Sequence, residues 1–72
     1  MNVQIEYEFE TEQKAYRFLN TAKHLSAQNL TVKFGRSDHH VKVAYEYADN
    51  QFDTTASELD DLARDLDGEE VK

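Results

Sequence analysis

The chain has no cysteine, which removes disulfides, cysteine–zinc sites and thiol nucleophiles from consideration. It has no proline, and glycine occurs only at Gly35 and Gly68, so a glycine-rich phosphate loop cannot be built. No apolar run exceeds three residues, so neither a membrane-spanning helix nor a secretory signal is expected. Positive charge is scarce as well. Fifteen acidic side chains against eight basic ones give a net charge of −7, which argues against nucleic acid or an anionic membrane as a direct partner. A reducing, cytoplasmic address suits a chain without cysteine.

Seventy-two residues, 39% apolar and 32% charged, make one small soluble domain whose stability has to come from its core alone. The charge is unevenly placed. Residues 1–48 hold six acids and six bases, whereas residues 49–72 hold nine acids against Arg64 and Lys72. The whole excess of −7 therefore lies in the last third, where it marks either an interaction surface or a solubilising helix face.

The periodicity predicts the order β-α-β-β-α. Val3, Ile5, Tyr7 and Phe9 alternate with polar neighbours, as a half-buried strand requires. Thr11 is a candidate N-cap with Glu12 in the first turn, and Ala15, Phe18, Leu19, Ala22 and Leu25 carry a helix to about Gln28. Leu30, Val32 and Phe34 form a second strand. The turn Gly35-Arg36-Ser37-Asp38 then leads to a third, with Val41, Val43, Tyr45 and Tyr47 inward. Setting Phe34 opposite His39 avoids a Lys33–Lys42 pair and is the favoured register.

Ala48 to Gln51 reads as a loop, and a last helix starts near Asp53 or Thr55, where Thr55-x-x-Glu58 fits a capping box. Phe52, Ala56, Leu59, Leu62, Ala63 and Leu66 form its apolar stripe, and Gly68 is placed to end it. The expected fold is a single α+β domain over residues 1–67: a three-stranded antiparallel sheet in the order 1-3-2, with both helices on one face. Residues 68–72 form a short, acidic, frayed tail.

Little in the chain resembles catalytic or metal chemistry. His39 and His40 would point to opposite faces of a strand, His24 stands alone, and an exposed loop pair is the plainer account of them. Asp65, Asp67 and Gly68 echo a calcium loop, but its closing glutamate would fall beyond residue 72. No Ser-His-Asp grouping lies close in sequence, and nearly all the carboxylates fall on faces assigned to water, where nothing raises their pKa values for acid catalysis. No enzymatic activity, cofactor or metal is expected. Tyr16, on the polar side of the first helix between Arg17 and Asn20, is a candidate surface anchor.

The last helix departs from local consistency. Glu58, Asp61 and Asp65 share one flank of its apolar stripe, while Asp53, Asp60 and Asp67 share the other. Asp65 and Asp67 oppose the helix dipole, and Glu58, Asp61 and Asp65 repel one another at i, i+3 and i+4 spacing. Such departures gather at functional sites. They point to a non-enzymatic module that docks on a basic surface of a protein partner through Glu58, Asp61, Asp65, Asp60 and Asp67. Rows of carboxylates imitate a phosphate backbone, so a nucleic-acid-binding protein is the partner in view. The element order, the acidic last helix and the run His40-Val41-Lys42-Val43-Ala44-Tyr45 leading to Asp49-Asn50 resemble the layout of the DNA-damage-inducible protein I family, small regulators of a DNA recombinase. That resemblance implies a regulatory protein–protein role. The alternative is a structural or self-associating domain, a monomer or weak homodimer paired through the edge of the second strand, with the acidic helix serving only solubility.

Overall fold

Val41, Val43 and Tyr45 alternate along β3 (His40–Glu46), and all three are buried. In the computed structural model, which describes residues 2–48 and 54–71, this strand is flanked on both sides. β1 (Asn2–Glu8) pairs with it antiparallel, from Asn2 opposite Glu46 to Glu8 opposite His40. β2 (Gln28–Phe34) pairs with its other edge, also antiparallel. The two helices are α1 (Glu12–Ala22) and α2 (Thr54–Asp65). The molecule is thus a small α+β fold with two helices and an antiparallel sheet.

The sheet has four strands rather than three. Glu69–Glu70, expected to fray, forms β4 against Tyr7 and Glu8, giving the order β2-β3-β1-β4. The Val71 N–H adds a hydrogen bond of 2.8 Å to the Glu6 carbonyl. A reversal at the end of α2 makes this return possible. The Gly68 N–H bonds the Ala63 carbonyl at 2.7 Å, and the Asp67 N–H bonds the Arg64 carbonyl at 3.1 Å, the paired bonds of a Schellman cap. The left-handed residue of that cap is Asp67, at φ 60°, and not Gly68. Gly68 is required for space instead: a Cβ there would lie 2.4 Å from Cε2 of the buried Phe9 ring.

α1 begins as expected, with Thr11 in extended backbone and its Oγ1 accepting the Lys14 N–H at 3.1 Å. Ala15, Phe18 and Ala22 are buried along one stripe. The helix stops at Ala22, not near Gln28. Thr21 Oγ1 bonds back to the Arg17 carbonyl at 2.9 Å, and turn bonds from His24 and Leu25 lead the chain away. The residues so released join the sheet, and Leu25 packs against the core from the turn.

The hairpin register also differs from expectation. Phe34 faces Val41, and Lys33 faces Lys42 directly. Both lysines are exposed on the open face of the sheet, and Lys42 has Glu6 opposite it on its other side, so solvent and an opposite charge blunt the repulsion. The register is held by bonds the sequence did not advertise. The Gly35 N–H reaches the His40 carbonyl at 2.7 Å, the Phe9 N–H reaches the His39 carbonyl at 2.8 Å, and Arg36 folds over Glu6 at 3.2 Å. Near the start of β2 an irregularity falls between Gln28 and Thr31, where Asn29 takes φ 52° and donates to Glu46 at 2.6 Å. Phe34, expected inward, is 41% exposed, because it ends an edge strand.

The core lies between the sheet and the helices. Phe18 of α1 contacts Tyr7 and Phe9, with ring centroids 5.1 and 5.0 Å apart, and α2 adds Leu59 and Ala63. No polar side chain is buried among the described residues. Thr54 already lies in α2, so Thr55 falls in the first turn rather than at the N-cap; Phe52 and Asp53 lie outside the described residues. Because Phe9 has no room to yield without disturbing Phe18, Gly68→Ala should destabilise the fold by roughly 1–3 kcal/mol, the usual cost of overpacking. Urea unfolding checks this, and a variant as stable as the parent would show that the reversal into β4 is not packed as described.

Candidate functional site

Leu59 and Ala63 turn α2 toward the core, with Leu62 and Leu66 packed beside them. That orientation decides what each acidic residue of the helix can do. Asp60 lies next to the buried stripe, and its Oδ1 accepts a 2.6 Å hydrogen bond from the Tyr7 hydroxyl. Tyr7 is 1% exposed. Burial first, and then the neighbouring Asp60 carboxylate, push the Tyr7 phenol well above its ordinary pKa. Asp67 makes a 2.9 Å ion pair with Lys14 of α1, which raises the lysine's pKa. This pair is partly exposed and contributes little to stability by itself, but it ties the end of α2 to the start of α1.

The other three acids stand away from the core. Glu58, Asp61 and Asp65 are all exposed and sit together on the solvent side of the helix. Asp61 approaches Arg64 at 3.6 Å, with both side chains more than two-thirds exposed, a contact of small energetic weight. Glu58 and Asp65 have no hydrogen-bond or ion-pair partner among the described residues. The structure therefore divides the five residues singled out from the sequence. Asp60 and Asp67 are engaged within the fold, and Glu58, Asp61 and Asp65 form one outward row.

A second arrangement was not foreseen. His40 is no exposed loop residue. Its Nδ1 lies 2.6 Å from Ser37 Oγ and its Nε2 lies 3.2 Å from Glu8 Oε2, with only 13% of the side chain exposed. Ser37, His40 and Glu8 thus line up as hydroxyl, imidazole and carboxylate. Ser37 Oγ also accepts the His39 N–H at 3.2 Å, and the His40 N–H bonds the Ser37 carbonyl at 3.1 Å. These bonds close the hairpin loop. A hydrolytic site would further need paired N–H donors aimed at a developing oxyanion, and the Ser37 hydroxyl is already committed to the turn. The pairing could have been suspected from the i, i+3 spacing of Ser37 and His40, but Glu8 comes from a distant strand.

Among the described residues no group of three or more His, Asp or Glu side chains is placed to hold a metal ion, and no helix is long and apolar enough to cross a membrane. On the open sheet face Arg36 binds both Glu6 oxygens, at 3.2 and 3.4 Å, and lowers the pKa of that carboxyl. The chain matches no family model, no curated protein and no solved structure at a significant level.

The Tyr7 phenol carries a pH prediction. Its proton is held more tightly in the folded chain than in the unfolded one, where the ordinary value is 10.0. The stability that this provides is complete below pH 10 and is lost as pH rises beyond it. Unfolding free energy should therefore fall more steeply above pH 10 in the parent than in Tyr7→Phe, as measured by urea titration across that range. Parallel curves for the two proteins would mean that the phenol is not held as described.

Proposed function

We propose that this chain is a non-enzymatic protein-binding module that docks on a basic surface of a protein partner through the outer flank of α2. One observation carries the reading: Glu58, Asp61 and Asp65 stand exposed in a row while the fold employs only Asp60 and Asp67. Nothing in the packing calls for that row. It runs i, i+3, i+7 along one side of the helix, a reach of about 10 Å. The like charges repel, by a few tenths of a kcal/mol per neighbouring pair. Asp65 ends the helix, where the dipole disfavours it.

A rigid row of carboxylates meets a basic groove as a phosphate backbone would. We take the partner to be a nucleic-acid-binding protein whose site this helix covers, in a regulatory or inhibitory role, and the setting to be the cytoplasm. The concentration of the net charge in residues 49–72 supports a single acidic docking side rather than a diffusely charged surface.

Replacing Glu58, Asp61 and Asp65 together by Gln, Asn and Asn removes three charges and nearly preserves shape. Stability should be unchanged or higher by up to about 1 kcal/mol, since only repulsion is removed. Proteins retained from host lysate at low salt and released at high salt should bind the triple variant more weakly, mainly through a slower on-rate, and with a shallower salt dependence. Unchanged affinity at low salt for each of them would reduce this flank to a solubility device.

A further inference from the structure

We propose that two copies of this chain pair through their β2 strands, antiparallel about a two-fold axis through Val32, to form one continuous sheet. β2 is an edge of the sheet, paired only with β3. Because the Gly35 N–H turns inward to His40, ladder alternation turns Lys33 inward as well and leaves the N–H and C=O groups of Val32 and Phe34 on the free side. The usual protections are missing. The chain has no proline, and the strand's one charge, Lys33, stands on the open sheet face.

The occupant is a second copy because this strand is complementary to itself in one register. Centred on Val32, the pairing sets Phe34 against Leu30 of the other copy on the helix side, and Lys33 against Thr31 on the open side. No charged residue then faces another. Centring on Lys33 would oppose like charges, and centring on Thr31 would run the ladder through Asn29, where the left-handed φ of 52° breaks it. Tyr16 and Phe34 are the two large apolar side chains exposed among the described residues, at 58% and 41%, and they line one depression between α1 and this edge. The pairing would cover both.

Charge placement favours the same partner. α1 packs on β2 and β3, and α2 packs on α1 and β4, toward the opposite edge. Residues 1–48 are neutral in sum, and the −7 resides in residues 49–72. Joining at β2 therefore brings the neutral halves together and keeps the two acidic helices at the far ends. The interface falls among small, transient ones, below about 1,200 Å², so the dimer is reversible. None of this depends on docking through α2.

Sedimentation equilibrium of the full chain from micromolar to millimolar concentration tests the proposal, with the parent shifting reversibly toward twice the chain mass. Thr31 is exposed on the open face, so Thr31→Lys and Thr31→Glu should both keep the parent's melting behaviour by circular dichroism. Thr31→Lys opposes Lys33 of the other copy at two symmetric places and should weaken the dimer about two- to thirtyfold. Thr31→Glu should tighten it. In the dimer the amides of Val32 and Phe34 gain protection from hydrogen exchange, which they lack on dilution. A single-chain mass at millimolar concentration would overturn the proposal, as would a dimer whose strength is indifferent to the charge at Thr31.

Discussion

The position of α2 on the sheet depends on one buried phenol. Tyr7 sits in the middle of the structure, with its ring against Phe18 of α1 and its hydroxyl on Asp60 of α2. A ring of that size gains about 1.5–3 kcal/mol from burial, but only if its hydroxyl finds a partner at the edge of the core. Asp60 supplies it. The consequence is rotational. With Asp60 drawn toward Tyr7, and with Leu59 and Ala63 inward, Glu58, Asp61 and Asp65 have nowhere to face but solvent.

The acidic residues therefore fall into two working sets that composition alone does not separate. Asp60, Asp67 and Glu6 each have a named intramolecular partner, in Tyr7, Lys14 and Arg36. The outer row of α2 contributes repulsion and no packing. A small domain without disulfides has little stability to spare, so a row that costs energy and supports nothing is what gives the docking proposal its weight. The same segregation leaves the β2 edge in neutral surroundings, far from the acidic helix, and so compatible with self-pairing.

Much of the architecture was readable from residue patterns, because alternation in β1 and β3 and the stripes of both helices each have one physical reading. What was missed depended on contacts between distant segments. Glu69 and Glu70 are poor strand formers, and they pair with β1 only because the chain reverses at Asp67 and Gly68. A glycine after a helix ordinarily signals a left-handed cap. Here Asp67 takes that conformation, and the glycine is dictated by Phe9, fifty-nine positions earlier in the chain. The hairpin register followed from bonds at Gly35, His39 and Arg36 rather than from avoidance of the Lys33–Lys42 pair. Likewise, a helical projection places Asp60 on a flank but cannot show that a tyrosine of β1 lies beside it.

A double-mutant cycle between Tyr7 and Asp60 tests this account most directly. Tyr7→Phe, Asp60→Asn and the double variant would be compared with the parent by urea unfolding at neutral pH, at protein concentrations low enough to keep each a single chain. The account requires a coupling energy of about 1 kcal/mol or more, with each single variant destabilised and the double variant little worse than either. Independent, additive effects would contradict it, because α2 would then be held by its apolar stripe alone and the outward placement of Glu58, Asp61 and Asp65 would have no fixed cause.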